Sequence, residues 1–181
     1  MDRKLSFKIG LFAFIVLYIL ILIDGSISFI SHSIPFIFSS RISWMGGLIG
    51  LTVLTFEIDF NFVWVALVVG IIEDIFYSGV IGFYAVSFVI SALFLRWLEN
   101  HLPNNFIYIL SSFFLTITLF SSIYYLLNSY LNLTDIRLFQ YISVYLPTTL
   151  FTNLIYFVIL YLPTEKIVEY FRKKLELKHE K

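Results

Sequence analysis

No Asp, Glu, Lys or Arg occurs between Asp74 and Arg96, between Glu99 and Asp135, or between Arg137 and Glu165. Uncharged, strongly apolar runs of this length exceed what the core of a soluble domain needs, and they constrain the chain more than any motif in it. A bilayer core of about 30 Å takes about 20 mostly apolar helical residues to cross. That ruler divides the chain into six segments, near 9–30, 35–56, 61–78, 80–98, 106–128 and 139–162. The expected fold class is an all-α integral membrane protein, a six-transmembrane-helix bundle over 1–162 with a basic amphipathic tail over 163–181.

Composition agrees: 60% of the residues are apolar, 20% aromatic and only 13% charged, against about 25% charged in an ordinary soluble domain. The net charge of zero hides a pattern, because charges gather at the chain ends and in short gaps. There is no cysteine, which excludes disulfides, thiolate nucleophiles and cysteine-ligated metals. The three histidines are scattered; no cofactor and no nucleic-acid partner is expected. Arg3 and Lys4 precede an apolar run that outlasts a signal-peptide core and lacks a small-residue cleavage site, so it reads as a retained first span.

Polar, Pro and Asn residues mark the gaps at 33–35, where His32 reads as a loop residue, and at 57–61, 99–105 and 128–137. Between the third and fourth segments only Tyr77, Ser78 and Gly79 break the apolar run, so a tight turn through Gly79 is expected. Basic residues near span ends stay in the cytoplasm. With the N-terminus inside, every Lys and Arg except Arg41 and Arg137 falls on that side, and six spans return the C-terminus there (N-in/C-in). Trp64 and Trp97 land near the same interface. In the tail, Ile167, Phe171 and Leu175 recur at helical spacing among Arg172, Lys173 and Lys174, which reads as a lipid-surface helix or as a solvated tail. Glu169 and Lys173 form an i,i+4 pair in the favourable order. No internal repeat of the inverted-transporter kind is evident.

Ionisable residues inside hydrocarbon are costly, and Asp24, Arg41, Glu73 and Asp74 fall within expected spans. At 1.5 Å per residue, Asp24 lies about 24 Å beyond Lys8, and the Glu73/Asp74 pair about 17 Å beyond Phe62, which puts all of them toward the outer leaflet. Arg41 is expected to pair with Asp24 or Asp74; the alternative is that these charges lie at the outer interface or snorkel to it. Adjacent Glu73 and Asp74 diverge by about 100° around a helix, so they form no close catalytic dyad. No zincin helix, nucleophile elbow or P-loop accompanies them. Carboxylates for ion coupling stay open. Gly46 and Gly50 make a G-x-x-x-G, and Gly70 shares a face with Asp74 and Tyr77; such small residues serve helix packing or partner contact. Asn132-Leu133-Thr134 matches a glycosylation acceptor.

The run Val69-Gly70-Ile71-Ile72-Glu73-Asp74-Ile75-Phe76-Tyr77-Ser78-Gly79-Val80-Ile81-Gly82-Phe83-Tyr84-Ala85-Val86-Ser87 resembles the signature region of the bacterial rod shape-determining protein MreD family. The matching positions are Gly70, Asp74, Gly79, Gly82, Tyr84 and Ala85; chain length and the short basic tail are similar too. Around Gly46, Gly47 and Gly50 only a loose glycine pattern corresponds. The resemblance implies a non-enzymatic component of the cell-elongation machinery in the plasma membrane. Its implied partners are an MreC-like bitopic membrane protein and peptidoglycan synthesis proteins. It also implies a bundle similar to the substrate-binding subunit of energy-coupling-factor transporters, which supplies the alternative function, a vitamin-binding transport subunit. The short outer loops, with little material for a lid over a vitamin, favour the scaffold.

Overall fold

In the computed structural model, residues 3–32 and 45–179 are described. Among them every regular element is helical: α1 Arg3–His32, α2 Gly46–Glu57, α3 Val63–Glu73, α4 Phe83–Glu99, α5 Phe106–Tyr130, a short α6 Leu138–Gln140 and α7 Leu146–His179. π-helical turns at Asp74–Ser78 and Tyr141–Tyr145 follow α3 and join α6 to α7. Among the described residues three stretches are long and apolar enough to cross a membrane: Lys4–Ser28, Phe106–Tyr130 and Leu138–Leu175. The helices coincide in position with the expected segments, but α2 and α3 are short, 12 and 11 residues. At 1.5 Å per residue these measure roughly 18 and 17 Å. Of the segment expected over 35–56, Met45 is not helical, α2 starts at Gly46, and 33–44 lies outside the described residues.

The short α2 is the centre of the molecule. It is apolar on every side, and every residue from Gly46 to Phe56 is buried, as a helix without a polar face must be. It packs against α1, α4, α5 and α7. Small residues let these backbones approach: Gly50 sits against Leu17 and Leu20 of α1, and Gly47 against Ile21 and Phe88. Aromatic rings fill the rest, with Phe88 edge-on to Phe120 and Phe113 stacked on Phe157. The outside is apolar as well. On α1, Phe7, Leu11, Ile15, Ile19 and Leu22 form one exposed stripe, and Phe151, Ile155, Val158 and Leu162 form another on α7. Contiguous exposed apolar stripes are unfavourable in water and suited to lipid.

The expected helix boundary at 162 is not seen. The α7 helix runs through Pro163 to His179, and His32, expected in a loop, is the last residue of α1. Beyond Pro163, α7 lies on the bundle: Phe171 stacks on Phe12 at 3.7 Å, Val168 is fully buried, and the Arg172 guanidinium meets the Glu57 carboxylate at 2.7 Å. Lys173, which is exposed, pairs with the half-buried Glu169 at 2.6 Å.

Candidate functional site: a buried acidic end of the bundle

Successive helices alternate in direction, so the last turns of α1 and α3 lie beside the first turns of α2 and α4. Helix starts expose backbone N–H groups that have no partner within the helix. In an apolar surrounding they need an acceptor. Neither α2 nor α4 has a hydrogen-bonding side chain at its N-cap. The acceptors come from neighbouring elements.

Asp74, fully buried at the end of α3, takes the N–H groups of Gly82 and Ala85 on one carboxylate oxygen, at 2.7 and 3.1 Å. Its other oxygen takes the N–H of Tyr84 at 2.8 Å. The chain reverses between Asp74 and α4 through Gly79 and Gly82, at φ +68° and +116°, values that suit glycine and strain a side chain. At Gly70, one turn before Asp74, an added Cβ would meet the Ala85 backbone at 2.5 Å. Gly70, Asp74, Gly79, Gly82, Tyr84 and Ala85 therefore build one unit, a close antiparallel pair of helices stapled by a carboxylate.

Asp24 does the same for α2. Its carboxylate accepts the Gly47 N–H at 3.1 Å and the Tyr156 hydroxyl of α7 at 2.8 Å. The Met45 N–H, just before α2, donates to Asn153 Oδ1 of α7 at 2.9 Å. Tyr77 lies over Gly25 and donates to the Ile21 carbonyl at 3.3 Å. Glu73 is buried beside Gly47, and among the described residues no hydrogen-bond donor reaches its carboxylate. Its placement between two other carboxylates is electrostatically unfavourable for a charge.

Asp24, Glu73 and Asp74 thus share one end of the bundle. Arg41, with its expected pairing, lies outside the described residues. Gly46, Gly50 and Gly70 are buried within the chain, Gly46 against Asp24, so none of them lies on a lipid-facing surface. The residues that sequence reasoning missed are Tyr156 and Asn153, which hold Asp24 and Met45 from α7. A polar pair in an otherwise apolar run was the available signal. Among the described residues no group of three His, Asp or Glu is arranged to hold a metal ion.

The opposite end carries ordinary ion pairs. Arg96 bridges Asp59 at 2.7 Å and Glu99 at 3.2 Å, and Asn104 Nδ2 donates to the Phe56 carbonyl. Of the tail residues expected at the lipid surface, Arg172 is engaged by Glu57, while Lys173 and Lys174 are exposed. Comparison with protein-family models, with curated proteins and with solved structures finds no match to this chain.

Proposed function

We propose that this chain is a six-span, N-in/C-in component of a bacterial plasma membrane, similar to the MreD family. In this reading it acts without catalysis in cell elongation by binding an MreC-like bitopic protein. The observation that carries the reading is the α3–α4 unit. The positions that make up the resemblance are widely spaced in sequence, yet each has a physical task in the same hairpin: close approach at Gly70 and Ala85, amide capture at Asp74, reversal at Gly79 and Gly82. A chance match of a few glycines would not be expected to converge on one structural device.

A binding role also fits the chemistry. Both oxygens of Asp74 accept backbone amides, and Asp24 is held by Gly47 and Tyr156, so two of the three buried carboxylates serve architecture. Because the glycines are buried, the partner's span meets an outward apolar stripe of the bundle instead. The test is affinity purification of the chain from its native membranes in mild detergent, with mass spectrometric identification of the proteins retained. An MreC-like bitopic protein or a peptidoglycan synthase is the expected companion. A paired ATPase with a coupling membrane subunit would replace this reading with that of a vitamin-transport subunit.

A further inference from the structure

We propose that the cavity between the C-terminal part of α5 and the first turns of α7 is a binding site for a neutral, planar small molecule of one or two rings that carries an amide or hydroxyl group. The cavity measures about 330 Å³, within the range of small-molecule sites. It lies at the same end of the bundle as Asp24 and Asp74. Its walls are dominated by tyrosines, with Tyr124, Tyr125, Tyr141 and Tyr145 all lining it and Met45 at its base. Ring faces of this kind favour a flat apolar body. Tyr125 and Tyr141 are already stacked, 4.1 Å apart and 9° from parallel, which fixes one wall before any ligand arrives.

The polar requirement comes from two hydroxyls. Ser121 Oγ is buried, lines the cavity and has no hydrogen-bond partner among the described residues. Tyr141 Oη is buried and lines it too, with the Ser122 side chain near it but no well-formed hydrogen bond. Buried polar groups are normally satisfied, and leaving them unpaired is costly. A ligand amide or hydroxyl would satisfy both. The neighbouring Tyr125 hydroxyl, by contrast, is committed to the Ile136 carbonyl at 2.9 Å. Tyr141 also opens the π-helical turn Tyr141–Tyr145, and local π turns of this kind often aim side chains into functional sites.

Charge and lipid are excluded by the same walls. Among the described residues the lining contains no Asp, Glu, Lys, Arg or His, so an anionic or cationic ligand would be desolvated there without a counter-charge. A phospholipid headgroup fails for that reason, and an acyl chain would leave both hydroxyls unpaired. The cavity is also held rigidly. Met45 is fixed by Asn153, and the Tyr124 ring lies 4.9 Å from that of Tyr84, whose N–H is held by Asp74. Such preorganisation lowers the ordering cost of binding.

The experiment uses the purified full chain in detergent, with indole-3-carboxamide as ligand and indole-3-carboxylate as its matched anion, read by equilibrium dialysis at neutral pH. Saturable binding of the carboxamide is expected, with the carboxylate at least about tenfold weaker. Ser121→Ala and Tyr141→Phe should each weaken carboxamide binding by about tenfold, and Ser121→Leu, which fills the cavity, should abolish it. The thermal melt of each variant reports folding. If Ser121→Leu does not fold, the two conservative variants carry the test. Absence of saturable carboxamide binding overturns the proposal, as does wild-type binding in both conservative variants or equal binding of the anion.

Discussion

At the scale of single residues, Asp74 shows how main-chain amides hold a carboxylate inside an apolar bundle. Backbone amides at a helix start carry partial positive charge, and three of them converge on this carboxylate. Its removal strands those amides where water does not reach. Asp74→Ala should therefore destabilise the protein by about 3 kcal/mol, and Asp74→Asn by less, because one oxygen acceptor remains. Thermal unfolding in detergent reads both; an alanine variant that melts with the wild type would refute this role. The carboxylates themselves were legible in the sequence, since Asp24, Glu73 and Asp74 interrupt apolar runs. Their partners were not. Sequence reasoning looks for a charged side chain such as Arg41, which lies outside the described residues, and it does not see the main-chain amides and the Tyr156 hydroxyl whose hydrogen bonds these carboxylates accept. The indirect signal lay in Gly79 and Gly82, which mark where a chain reversal brings the start of α4 within reach of Asp74.

At the scale of elements, α3 and α4 are close because one pair of residues lets them be. An added methyl at Gly70 would strike main chain at Ala85, which cannot swing aside as a flexible side chain can. Gly70→Ala should cost about 1–3 kcal/mol through displaced backbone. Gly10 on α1 is the internal control, since an added Cβ there meets nothing within 4 Å. Gly10→Ala should be neutral or stabilising by up to about 1 kcal/mol from helix propensity. Parallel melts of the two variants distinguish packing from a general effect of glycine replacement, and equal shifts would rule packing out. Helix positions were readable from hydropathy because every element here is an apolar run between polar gaps. The course of α7 was not. Pro163 lacks an N–H, so the bond to the Ile159 carbonyl is lost and a boundary is the natural expectation. The spacing of Ile167, Phe171 and Leu175 looks the same whether that face meets lipid or another helix. What decides is the partner: Phe12 stacks on Phe171 and Glu57 receives Arg172, contacts between residues far apart in sequence.

At the scale of the whole molecule, alternation of helix direction gathers like with like. One end holds the buried carboxylates and the tyrosine-lined cavity; the other holds Glu57, Asp59, Arg96 and Arg172 in exposed or half-buried pairs. In the six-span, N-in/C-in reading proposed above, retention of basic residues in the cytoplasm would place the second end inside, with both termini there too. The chain has no cysteine, so introduced thiols report without background. Lys4, Asn100, Asp135 and Lys174 are all exposed, and each tolerates replacement because surface sites rarely cost more than about 0.5 kcal/mol. In intact cells a membrane-impermeant maleimide should label Asp135→Cys alone. Lys4→Cys, Asn100→Cys and Lys174→Cys should react only after permeabilisation. The reverse pattern would turn the molecule over and place the acidic end in the cytoplasm. Labelling of Asn100→Cys and Asp135→Cys from the same side would mean that α5 does not cross. Lys4 and Lys174 on opposite sides would make the number of crossings odd, which would end the six-span reading.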